Sequence, residues 1–114
     1  HESEQVNAFN IKSLMKNQKP DGVLSSIEEF VLPCYDVCRE LNIHIPNDLK
    51  VVSFSNLSTA RLLNPSLTTV TQPAFEIGME AATSLFKILH KKDQGMDRDV
   101  VLKSTLIKRE STGF

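Results

Sequence analysis

The chain has 114 residues, 40% of them hydrophobic and 24% charged, with a formal net charge of −1. That balance suits one small globular domain or a part of a larger one, and it argues against a nucleic-acid surface in this piece, which would need clustered Lys and Arg. No apolar run approaches the ~18 residues of a membrane-spanning helix, and a start at His1 followed at once by a helical pattern reads as a fragment or a processed product.

Residues 3–16 are predicted to form a helix. Val6, Phe9 and Leu14, with Ala8, Ile11 and Met15, recur at spacings of three and four. Ser3 is placed to cap it, and Lys16 in the last turn suits the helix dipole. Asn17 to Gly22 carries turn chemistry. Val23-Leu24-Ser25 reads as a short strand of the buried, parallel kind. Ser26 and Glu29 have capping-box spacing and are expected to open a second helix. Its apolar face is Val31, Cys34, Tyr35, Cys38 and Leu41, and Pro33 inside it implies a kink or a later start. Asn42 closes it. Leu49 to Phe54 is a second strand, and Ser55 to Asn64 is polar and irregular.

Pro65-Ser66-Leu67-Thr68-Thr69-Val70-Thr71-Gln72-Pro73 is a β-prone run between two prolines. Thr68, Thr69 and Val70 are stiff at χ1 and favour a strand. Pro73 suits the first turn of the helix expected from about Ala74 to Lys92, which Gly95 ends. Val100-Val101-Leu102 and Thr105-Leu106-Ile107 are expected to give one bent strand or two short ones, followed by a polar tail. Helices alternating with short apolar strands imply an α/β fold, a Rossmann-like parallel sheet flanked by helices.

The chemistry-bearing residues point away from catalysis. There is no Gly-rich phosphate loop and no G-x-S-x-G elbow, so the chain is not expected to be an enzyme, nor to hold a cofactor or a metal. Cys34 and Cys38, four apart on one helical face, read as packed thiols. Ser25, Ser26, Ser53 and Ser55 fall at strand C-terminal ends, the edge where open α/β sheets bind ligands; capping and ligand contact are both open to them. Glu28 and Glu29 fit an acid/base pair or, more simply, a helix first turn. Lys87, His90, Lys91 and Lys92 fit a solvated helix end. Leu62 and Leu63 beside Arg61 fit an interface patch or a loop folded onto its own core.

Four stretches together resemble the effector-binding region of LacI/GalR-type bacterial transcriptional regulators. Lys19-Pro20-Asp21-Gly22-Val23-Leu24 resembles the family's R-P-D-A-I-F. Residues 41–54 resemble L-G-L-R-V-P-E-D-V-S-V-V-G-F, and residues 65–73 resemble P-P-L-T-T-V-x-Q-P, with Gly78 following. Ile107 to Thr112 resembles the closing V-x-R-x-S-T.

The resemblance implies a two-lobed domain like the type I periplasmic binding proteins, with an effector bound between the lobes. Residues 1–71 and 105–114 would belong to the C-terminal lobe and 73–103 to the N-terminal lobe, the DNA-binding domain being absent from this chain. The family's effector contacts fall at His1, at Ile27 or Glu28, and at Ser55 with Asn56. Its dimer contacts fall at Leu32, Asp36, Arg61, Leu62 and Leu63. Where the family carries an Asp, Ser55 offers one uncharged hydroxyl, and Ile27 offers no hydrogen bond. The implied effector is therefore less polar than a hexose or differently oriented, or sensing is lost. The partners implied are a sugar-like small molecule, operator DNA and a second copy of the protein, in the cytoplasm. An extracytoplasmic sugar-binding protein of a transport system shares the fold and is the alternative.

Overall fold

The computed structural model describes residues 2–90 and 99–113, and of residues 2–6 the backbone alone. His1 and the helix end expected at Lys91, Lys92 and Gly95 lie outside the described residues. The chain divides into two compact units, Gln72–Thr105 and the residues on either side of it.

The first unit opens with α1 (Glu2–Gln18), longer than expected, so that Ser3 lies inside the helix and not at its cap. Lys19, at φ 44, takes the left-handed stop position and Pro20 follows it, a common helix ending. β1 (Gly22–Ser25) leads to a 3₁₀ turn at Glu28–Phe30 and then α2 (Val31–Glu40). The capping box expected at Ser26 and Glu29 is therefore not built. The helix starts after it, which puts Pro33 in the first turn, where no backbone N–H has an intrahelical partner to lose. Asn42 ends this stretch in the left-handed region, φ 54, a conformation Asn tolerates better than most residues. β2 (Lys50–Phe54), a 3₁₀ turn at Ser58–Leu62 and β3 (Thr68–Thr71) follow.

Four strands form one sheet in the order β1-β2-β3-β4, with β4 at Thr105–Ile107. β1 and β2 are parallel, with Val23 beside Val51 and Ser25 beside Ser53. β2 and β3 are also parallel, with Ser53 beside Thr69. The core is Met15 from α1, Val31, Cys34, Val37 and Cys38 from α2, and Leu49, Val51, Ala60 and Leu67. Of the apolar stripe expected on α1, Met15 and Ile11 reach that core while Phe9 is 73% exposed. Cys34 and Cys38 are free, buried thiols. Contact with Cys38, then burial, pushes the Cys34 thiol up and keeps it inert.

The tail does more than its polarity suggests. Ser111 is fully buried in a 3₁₀ turn at Glu110–Thr112. Its Oγ donates to the Val51 carbonyl at 2.6 Å and accepts from the Thr68 amide at 2.8 Å. Arg109 Nη1 donates to the Leu67 carbonyl at 2.6 Å and to Thr69 Oγ1 at 3.0 Å. Glu110 accepts from the Ser66 amide at 2.9 Å. The two resemblance motifs at 65–73 and 107–112 thus clasp each other, with hydroxyl groups satisfying backbone that the ladder leaves over.

The second unit contains α3 (Ala74–Leu89), which starts directly after Pro73 as its capping residue. None of its residues is buried. Residues 100–102 form no strand, contrary to expectation, and Val101 is 88% exposed. A β-prone run becomes a strand only where a neighbouring chain supplies a ladder and a packed face.

Candidate functional site

In a parallel sheet all strand C-termini share one edge. Here that edge carries the segment after β1, Ser26 to Glu28, and the segment after β2, Ser55 to Leu57. Each is held by a serine. Ser25 Oγ donates to the Ile27 carbonyl at 2.5 Å. Ser55, only 5% exposed, accepts from the Leu57 amide at 2.9 Å and donates to Glu28 Oε1 at 2.6 Å. Ser55 also joins the neighbouring strand, its amide donating to the Val70 carbonyl at 3.0 Å.

Four of the five residues expected at an effector site, Ile27, Glu28, Ser55 and Asn56, therefore lie on two adjacent loops of this edge. His1 lies outside the described residues. Glu28 and Ser55 touch, which the sequence alone did not suggest, since they are 27 positions apart. Ile27, next to Glu28 in the chain, is 46% exposed. Ser53 Oγ, two residues before Ser55, is buried with no hydrogen-bond partner among the described residues.

The expected interface residues separate into two kinds. Leu32, Asp36, Arg61 and Leu62 are exposed. Leu63 is half-buried and packs against the core. Of the two adjacent leucines, then, one folds inward and Leu62 presents itself to solvent. Asp36 pairs with Arg39 on its own helix. Tyr35 joins α2 to the loop before β3, its hydroxyl donating to the Pro65 carbonyl at 2.9 Å. Burial, its largest cause, pushes the Tyr35 hydroxyl up to about 12, so it stays a donor at neutral pH.

A groove of about 750 Å³ runs between α1 and α2, with Phe9, Lys12, Glu28, Leu32 and Asp36 among its lining. Lys12 is engaged there by Glu40 at 2.8 Å. Among the described residues no group of three His, Cys, Asp or Glu side chains is arranged to hold a metal ion, and no helix is long and apolar enough to cross a membrane.

Comparison with known proteins gives a consistent picture. The family model described as periplasmic binding protein-like domain matches residues 1–112. The HTH-type transcriptional regulator RegA of Clostridium saccharobutylicum is 34% identical over 96 residues, covering 84% of this chain and 29% of that protein. The solved structure of a transcriptional regulator CelR–cellobiose complex superposes with a TM-score of 0.82 at 25% identity, covering 95% of this chain and 33% of that one. A LacI family transcriptional regulator from Enterococcus faecium with bound ribose gives a TM-score of 0.75 at 25% identity, covering 92% and 39%. The chain thus spans under a third of RegA's length.

Proposed function

We propose, from the premise that this chain belongs to the periplasmic binding protein-like domain family of LacI-type regulators, that it is the C-terminal part of the effector-binding and dimerisation region of a transcriptional repressor. The observation that carries this reading is the run of family motifs, in order, along nearly the whole chain. Two of them, at residues 65–73 and 107–112, are interlocked in space by Arg109 and Ser111.

On this reading the first unit belongs to the C-terminal lobe and the second to the N-terminal lobe. The effector is a sugar-like molecule seated on the C-terminal edge of the first unit's sheet, among Ile27, Glu28, Ser55 and Asn56, with His1 added. The relatives with bound ribose and cellobiose support that ligand class. Leu32, Asp36, Arg61, Leu62 and Leu63 mark the contact with a second copy. Effector binding shifts the balance between two lobe arrangements, and it does so only as far as it binds one of them better. That changes how two DNA-binding domains are presented to an operator in the cytoplasm. No enzymatic step is part of this function. The named relatives are regulators, which does not favour the transport-protein reading.

The test uses the intact protein. Selection from a random duplex pool is expected to enrich one operator sequence. Titration with a panel of neutral pentoses, hexoses and disaccharides, D-ribose and cellobiose included, is expected to change its affinity for that operator. Binding to DNA with no sequence preference would refute the regulator reading.

A further inference from the structure

Ser55 has one hydroxyl proton, and it is spent on Glu28 Oε1 at 2.6 Å. One of the hydroxyl's acceptor sites is taken by the Leu57 amide at 2.9 Å. A buried serine so committed has little left with which to recognise a ligand. A carboxylate, by contrast, accepts at about four lone-pair positions, so Glu28 keeps acceptor capacity beyond the one bond from Ser55. Glu28 is also exposed where Ser55 is buried.

We infer that Glu28 is the effector-recognising carboxylate of this chain and that Ser55 is the positioning residue that holds it at the end of β2. The charge is thus supplied from the 3₁₀ turn after β1, across to a strand end that has none of its own. This inference rests on the effector reading above and specifies its chemistry. A carboxylate fixed by a hydrogen bond receives hydroxyl donors strongly, because charge-assisted bonds are roughly twice as strong as neutral ones. It repels anions, and Glu29 in the same turn adds to that. The nearby Lys12 is already paired with Glu40 at 2.8 Å. The effector is accordingly a neutral polyhydroxyl compound and not its phosphate ester.

Calorimetric titration of the intact protein tests this with whichever panel sugar binds most tightly, and with that sugar's phosphate monoester. Glu28→Gln is expected to raise Kd about ten- to a hundredfold, the usual loss for a hydrogen bond to a charged group. Ser55→Ala should cost about three- to tenfold, and Ser55→Thr, which keeps the hydroxyl, should stay near the unmodified value. The pair Glu28→Gln with Ser55→Asp moves the charge to the strand end and is expected to recover most of the Glu28→Gln loss. A purely structural role for either residue would show no such recovery. Sugar binding that Glu28→Gln leaves unchanged, or equal binding of the phosphate ester, overturns the inference while the effector reading stands. Binding of no panel sugar by the unmodified protein overturns both.

Discussion

Two helices of this chain have the same kind of apolar patterning and opposite fates. α2 buries Val31, Cys34, Val37 and Cys38. α3 is the more apolar of the two, with Phe75, Ile77, Met79, Leu85, Phe86, Ile88 and Leu89 along it, and buries none of them. Both helices are recognisable from spacing alone, because spacing reports which residues share a face. Whether that face becomes a core depends on what lies against it. α2 has α1, the sheet and the loop from Leu57 to Leu63. A contiguous apolar surface such as that of α3 marks a place built to be covered.

The contrast can be broken by substitution. Leu67 is fully buried, so Leu67→Ala should lower the stability of the 114-residue chain by about 2–5 kcal/mol in urea unfolding. Leu85 is 54% exposed, and Leu85→Ala should change it by no more than about 0.5 kcal/mol. Equal losses at the two sites would mean that α3 is packed after all.

Next in size is Ser111→Ala, which strands the Val51 carbonyl and the Thr68 amide in a buried place. The expected loss is about 1–3 kcal/mol, read from the same unfolding curves. A smaller effect is expected in solution. The uncovered face of α3 should make the 114-residue chain self-associate, and Phe86→Lys with Leu89→Glu should shift it toward monomer by about tenfold in sedimentation equilibrium, on the order of one exposed apolar contact. An unchanged mass distribution would assign the association elsewhere, with Leu62 the next surface to test.

The smallest effect is electrostatic. The Ser66 amide, its largest cause, holds the Glu110 carboxyl below the usual glutamate range. A depressed value in the folded state adds stability above the unfolded value, and that stability is lost as pH falls through the folded one. Glu110→Gln should therefore lower stability slightly at neutral pH and flatten the acid limb of a stability-against-pH curve, the two proteins converging at low pH. A steeper acid limb would reverse the sign and discard the bond.

The sheet was largely legible beforehand. Short apolar runs mark β1 and β2, and a β-branched run between two prolines marks β3, each to within a residue or two. Val100 to Leu102 has the same composition and is no strand, because a ladder needs a neighbour that composition does not reveal. Ser26 and Glu29 have capping-box spacing, yet the turn is organised instead by Ser25 and by the bond from Ser55 to Glu28. Such long-range polar pairing leaves no local signature. The same holds for Arg109 and Ser111. Their motif was visible, but its partner, 40 or more residues away, was not. Adjacent Leu62 and Leu63 differ in burial because the backbone changes between them, Leu62 ending the 3₁₀ turn and Leu63 being extended.

The clasp between residues 66–69 and 109–112 has a consequence for the order in which the protein is made. β1, α2, β2 and β3 leave the ribosome before residues 109–112 and can pack in that order. The groups that satisfy Ser66, Thr68 and the Val51 carbonyl arrive only after all of Gln72–Thr105 has been synthesised. Until then a nascent sheet carries open polar ends at its last strand. The interval is set by the length of the intervening segment, whose closure cost rises by only about 0.6 kcal/mol for each doubling. Evolution is thus free to lengthen or rebuild that segment at small thermodynamic cost, the penalty being a longer wait on the ribosome with the sheet unfinished.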